Sequence, residues 1–92
     1  MLKTYRNFLI NSGMAVEVNG KGRSVYDYCR ALKRVSMLEN MTIEKLAQNI
    51  FDICPMYQKG GPKQVLGAGM SRSIRCSLVK LRNMMSETQQ VA

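Results

Sequence analysis

All seven glycines of the 92-residue chain fall in two stretches, Gly13 to Gly22 and Gly60 to Gly69, and both prolines, Pro55 and Pro62, lie in or just before the second. Glycine and proline end regular structure more readily than other residues, so their confinement leaves the rest of the chain free to form uninterrupted elements. Apolar residues in those runs recur at helical rather than alternating spacing, which predicts an all-α fold.

The first run, about Leu2 to Ser12, places Leu2, Tyr5, Phe8 and Leu9 on one side, and Gly13 stands where a left-handed residue closes a helix. Ser24 opens a second helix, with Asp27 three residues on as the partner of a capping box. There Val25, Tyr28, Cys29, Leu32 and Val35 share one face, and Arg30, Lys33 and Arg34 fall opposite. Thr42 caps a third helix whose stripe, Ile43, Leu46, Ala47, Ile50, Ile53 and Cys54, runs to Pro55, where the helix is expected to stop. Ser71 is the expected cap of a fourth, in which Ile74, Leu78, Leu81 and Met85 form a narrow stripe. The expected architecture is therefore a single small four-helix domain over residues 1–85, with loops at 13–23 and 55–70 and a polar, fraying tail at 86–92. A competing local reading remains: Asn19-Gly20 is a strong two-residue turn, and a minor β-hairpin over residues 15–26 would fit around it.

A chain of this length buries roughly two thirds of the surface it exposes when unfolded, enough for one core. It contains no histidine, which removes Ser-His and Cys-His nucleophiles and histidine metal sites together. Ser77-Leu78-Val79-Lys80 matches an S-x-x-K pattern, but its companion motifs are missing, and Glu44 and Asp52 stand two helical turns apart, too far to clamp one metal ion. No enzyme activity, cofactor or metal is expected. Cys29, Cys54 and Cys76 are odd in number and lack paired C-x-x-C spacing, so they read as reduced core thiols. With no membrane-spanning apolar run and no secretory leader in Met1-Leu2-Lys3-Thr4-Tyr5-Arg6, the expected location is the cytoplasm.

The net charge is +8, and it is polarised. Residues 1–38 carry +5, residues 39–58 carry −2 and residues 59–92 carry +5. A polyanion is the partner such a balance suits, and the candidate nucleic-acid contacts sit on the second and fourth helices and the loops before them. They are Arg30, Lys33 and Arg34 with Lys21 and Arg23, and Arg72, Arg75 and Arg82 with Lys59 and Lys63. The fourth helix is the sharpest expectation: Arg72 and Arg75 at its start oppose the helix dipole, a conflict that an anion would relieve. Gly67-Ala68-Gly69-Met70-Ser71-Arg72, just ahead of it, offers closely spaced amides to a single backbone phosphate, with a plain turn as the alternative. Lys3, Arg6 and Lys45 are expected to lie elsewhere. The four tyrosines form no array that would stack single-stranded bases, which favours duplex. Eight methionines read as adaptable core filler, or, if several are exposed, as a surface for a protein partner or a homodimer.

The order Tyr5-Arg6-Asn7-Phe8-Leu9 and Gly13, then Ser24-Val25-Tyr26-Asp27-Tyr28 through Leu32 and Val35, then Met41-Thr42-Ile43-Glu44-Lys45-Leu46, then Ser73, Leu78 and Leu81, resembles the SAM-like N-terminal core-binding domain of tyrosine recombinases and phage integrases. The likeness spans about residues 5–85. The loop Met14 to Arg23 is longer than that family's usual connection, the glycine-rich stretch 59–69 is unusual before the last helix, and the catalytic domain with its Arg, His and Tyr nucleophile is absent. The resemblance implies a free-standing DNA-clamp module, with Arg30, Lys33, Arg34, Arg72, Arg75 and Arg82 against duplex backbone and major groove. The reading from sequence is a non-catalytic duplex DNA-binding accessory or regulatory protein of a phage or mobile element. The rival is a small phage-encoded inhibitor or adaptor, of anti-restriction or anti-CRISPR type, that binds a host protein.

Overall fold

In the computed structural model, which describes residues 1–16 and 23–90, the chain is all-α, with six helices and no strand among those residues. They are α1 (Leu2–Asn11), α2 (Val25–Leu38), α3 (Ile43–Gln48), α4 (Ile50–Tyr57), α5 (Gln64–Gly67) and α6 (Ser73–Gln90). The two helices beyond the expected four arise from local chemistry. Asn49 divides the third apolar stripe: its side-chain amide donates to the Lys45 carbonyl at 2.9 Å and its backbone leaves helical geometry, so the stripe is split into α3 and α4. The single turn α5 lies inside the glycine-rich stretch that spacing marks as loop.

Helix ends are fixed largely by their own sequence. The Ser24 hydroxyl accepts from the Asp27 amide at 3.2 Å while the Asp27 carboxylate accepts from the Ser24 amide at 3.2 Å, a complete capping box. Thr42 caps α3 by accepting from the Lys45 amide at 3.1 Å. Both α1 and α2 close in Schellman motifs: Gly13 takes φ +93° while the Met14 amide reaches back to Leu9, and Asn40 takes φ +53° while the Met41 amide reaches back to Ser36.

The long helix α6 packs against each of the other five, most extensively α2 and α4. Its buried Ile74, Leu78, Leu81 and Met84 meet Tyr5 and Leu9 of α1, Val25, Leu32 and Val35 of α2, and Ile50, Ile53 and Cys54 of α4 in one core. Tyr5 is wholly buried, and its hydroxyl donates to the Ser77 carbonyl at 2.9 Å, tying α1 to the second turn of α6. Met14, Met41, Met56, Met70 and Met85 pack against this core from the side, so most of the methionines are filler as expected. The thiols of Cys29, Cys54 and Cys76 are free, Cys54 buried and the others half-buried.

Four local expectations are corrected. Pro55 does not stop the helix at Cys54, since its missing N–H removes only one bond to the turn before and the buried Tyr57 holds a last turn against the core. Ser71 is not the cap of α6: it stands two residues ahead of the first helical residue at φ +56°, whereas a cap needs extended backbone immediately before the helix. The fraying tail is helical through Gln90, because nothing from Ser86 onward breaks a helix. Of the alternative hairpin over residues 15–26, residues 17–22 lie outside the described residues, and Val25 and Tyr26, which would end its second strand, form the first turn of α2.

Two glycines of the second stretch are there for close packing. A Cβ on Gly61 would meet the Pro55 carbonyl oxygen at 2.3 Å, and one on Gly67 would meet the Tyr57 carbonyl oxygen at 1.9 Å. The chain between α4 and α6 therefore folds back on the carbonyl end of α4 as a close-fitted turn. It continues through Met70, Ser71 and Arg72 at φ +54°, +56° and +71°, three consecutive left-handed residues that are not glycine.

Candidate nucleic-acid interface

Positive side chains become a binding surface only where the fold leaves them exposed and unpaired with carboxylates, and the cations of this chain divide on that criterion. On α2 the capping box orients the helix so that Val25, Tyr28, Ala31, Leu32 and Val35 are buried, and Arg30, Lys33 and Arg34 are left exposed on the opposite face. The Arg30 guanidinium lies 5.7 Å from the centre of the Tyr26 ring, which holds it along the helix. The nearest acid in sequence, Asp27, is occupied with the Ser24 hydroxyl at 2.7 Å and the Ser24 amide.

Helix α1 adds two cations that spacing alone assigned elsewhere. Burial of Tyr5 and Leu9 turns Lys3 and Arg6 to the surface beside α2, where they border, with Lys33, a groove of about 450 Å³ between the two helices. Its remaining lining is Leu2, Val16, Val25, Tyr26 and Cys29, and no carboxylate lines it among the described residues. Burial pushes the Cys29 thiol up from its ordinary value while Arg6 and Lys33 act in the opposite sense, a measure of how near both cations stand. The clue in the sequence was present: Lys3 and Arg6 are three residues apart and off the Tyr5–Leu9 stripe, hence side by side on one face. Lys45 is exposed on α3, away from this groove's lining.

The α6 cations are placed differently. Arg75 and Arg82 share a side of the helix, as spacing predicts, but that side faces α4 and α5. Arg75 is half-buried and donates to the Gln64 carbonyl at 3.3 Å, its own carbonyl accepts from the Gln58 side chain at 3.1 Å, and its Nε is buried without a partner. Arg82 is half-buried close enough to Cys54 of α4 to act on that thiol, which burial nevertheless holds above its ordinary value. Arg72 is exposed ahead of the helix. The loop amides offered to a phosphate are largely engaged: Ala68 donates to Gln64, Gly69 to Leu66 and Arg72 to Ala68.

Lys63 is paired with Glu39 and lies 5.6 Å from the Tyr57 ring centre, while the Tyr57 hydroxyl donates to the same Glu39 carboxylate at 2.6 Å. Those bonds from Lys63 and Tyr57 hold the Glu39 carboxyl below its ordinary value. This triad fastens the end of α2 to α4 and the turn beyond it. Lys59 is exposed, and Lys21 lies outside the described residues. Arg23, exposed ahead of α2, acts on the Tyr28 phenol, which burial and Cys76 push up to about 12.

Among the described residues no group of histidine, cysteine, aspartate and glutamate side chains could hold a metal ion, and no helix is long and apolar enough to cross a membrane. Comparison with protein-family models, with curated proteins and with solved structures finds no match to the chain.

Proposed function

We propose that the protein binds duplex DNA without catalysing a reaction on it, as a cytoplasmic accessory or regulatory factor of a phage or mobile element. The observation that carries this reading is the placement of Lys3, Arg6, Arg30, Lys33 and Arg34 on the exposed faces of two packed helices, with no carboxylate lining the groove between them among the described residues. Phosphate contacts supply most of the affinity of such a surface, and long flexible cations at helical spacing suit a backbone whose charges repeat along a groove. The resemblance to the recombinase core-binding domain supports duplex contact, since that role maps there onto Arg30, Lys33 and Arg34 and equally onto Arg72, Arg75 and Arg82. Arg72 and Lys59 are exposed and add to the positive field, whereas Arg75, Arg82 and Lys63 serve the fold first.

The test is an anisotropy titration of a random-sequence duplex at several salt concentrations. Five phosphate contacts give a slope of log affinity against log salt of roughly −4 to −5. Changing Arg30, Lys33 and Arg34 to Gln should lower affinity at least about tenfold and flatten the slope by about 3, and the same change at Arg72, Arg75 and Arg82 should cost less. Absence of binding at low salt, or a flat salt dependence, overturns the reading. Equal losses from the two triples would show that net charge alone is sensed and that the α1–α2 face is not the site.

A further inference from the structure

Duplex binding uses the cations of the α1–α2 face and leaves its apolar centre unused. A phosphodiester backbone presents charged oxygens and sugars, which have no reason to enter a hollow of about 450 Å³ floored by Leu2, Val25 and Cys29 and walled by Val16 and Tyr26. Val16 is 45% exposed and Tyr26 52%, so apolar surface stands open to solvent beside Lys3, Arg6 and Lys33. A surface that is apolar at the centre and cationic at the rim is complementary to one that is apolar along one stripe and acidic beside it. The shape selects further. The hollow follows α2 from Val25 to Lys33, about 12 Å or two helical turns, between two helices already in contact, which is the form in which a third helix docks by side chains at i and i+4.

We propose that the α1–α2 groove is a docking site for an acidic amphipathic helix of a partner protein, which seats apolar side chains on the groove floor and sets carboxylates against Lys3, Arg6 and Lys33. The site goes beyond duplex binding and shares three cations with it, so partner and DNA exclude one another there. A protein carrying such a helix would release the DNA by occupying the cations.

The probe is a labelled peptide of about 14 residues with leucine on one helical face and glutamate elsewhere, long enough to fold on contact. It is compared with a scrambled peptide of equal composition and with oligoglutamate of equal length, each titrated against the full chain near physiological salt. The patterned peptide should bind at least about tenfold more tightly than either control and should displace a bound duplex. Val16→Ser with Leu2→Ser removes apolar lining of the groove, keeps every cation and leaves the Tyr26 ring beside Arg30. It should reduce the patterned peptide to the level of the scrambled one while duplex affinity stays within about threefold. Lys3→Gln, Arg6→Gln and Lys33→Gln together should weaken peptide and duplex alike. Amide shifts in a nitrogen-15 sample should concentrate at Leu2, Val25 and Cys29. Equal binding of patterned and scrambled peptides, no effect of the lining substitutions, shifts centred on exposed apolar side chains outside the groove such as Met37, Phe51, Val65 or Leu66, or a duplex that the peptide fails to displace would each overturn the proposal. Direct peptide binding, the lining substitutions and the amide shifts need no duplex, so loss of the duplex reading leaves those arms to decide the groove.

Discussion

Gly67 ends α5 directly beneath the carbonyl end of α4, and its replacement by alanine should be among the more damaging single changes the chain can suffer. A Cβ built there lies 1.9 Å from the Tyr57 carbonyl oxygen and 2.9 Å from the Tyr57 carbonyl carbon. Real Cβ contacts stay beyond 3.0 Å, so the two segments would have to part by about 1 Å. The opposing atoms are backbone, and no change of rotamer relieves them. Tyr57 is itself fully buried and bonded to Glu39, which makes it a poor candidate to move. Alanine's helix propensity favours the substitution by up to about 1 kcal/mol; overpacking typically costs about 1–3 kcal/mol and occasionally more, and a backbone overlap of this depth belongs at or above the top of that range, at about 3–4 kcal/mol.

A net loss of roughly 2–3 kcal/mol is expected, or a fall in Tm of about 10–20 °C for a domain of this size. The control is Gly60→Ala, where φ is +88° and a Cβ would meet nothing within 4 Å. It carries only the left-handed penalty of roughly 1–2 kcal/mol, offset by a little less chain entropy. Thermal and urea unfolding followed by far-ultraviolet circular dichroism decide the matter. If Gly67→Ala melts at or above Gly60→Ala, the close approach of α5 to Tyr57 is wrong.

The Glu39 carboxyl sits below its ordinary value through Lys63 and Tyr57, so its stabilisation is complete above the unfolded value near pH 4.3 and is lost as pH falls through the lower folded one. Glu39→Gln should cost about 1–2 kcal/mol at neutral pH, a figure held down by the partial exposure of Lys63, and should narrow the difference from the native chain between about pH 5 and 3; a constant difference across that range would refute the triad's role. Ser71, exposed at φ +56° in the middle of the left-handed run, should welcome glycine: removing a strain of roughly 1–2 kcal/mol at an entropic cost of about 0.5–1 leaves a gain of about 0.5–1 kcal/mol, and an unchanged or lower Tm for Ser71→Gly would deny the strain.

What was legible in the sequence was whatever a single helical turn decides. The faces of α1 and α2, the Ser24 and Thr42 caps and the Gly13 terminus depend on residues three or four apart, and each stands where periodicity and capping chemistry place it. What was not legible depended on distant partners. Asn49 divides a continuous apolar stripe through a side-chain bond that competes with an equally good helical alternative, and composition cannot weigh the two. The second glycine stretch reads as open loop because its glycines resemble those of any turn; that Gly61 and Gly67 serve close packing becomes visible only when α4 and α5 are brought together.

The same limit explains where the candidate interface lies. A narrow apolar stripe on the last helix suggests a rod with one side on the core and the rest in water, hence an available row of Arg72, Arg75 and Arg82. But α6 is touched by every other helix, and a helix surrounded in this way has flanks as well as a face to cover. Arg75 and Arg82 fall on a flank, where a long guanidinium stem helps fill the seam against α4 and α5, and Arg75 donates to the Gln64 carbonyl of α5. The helices at the periphery keep an entire side for solvent, and in α1 and α2 that side is basic. A helix carrying its charges opposite the core stripe presents them whatever the tertiary arrangement, whereas charges beside the stripe are presented or buried according to how many neighbours arrive. By that reasoning the α2 cations form the more robust part of the surface. Lys3 and Arg6 join them because α1 and α2 pack side by side.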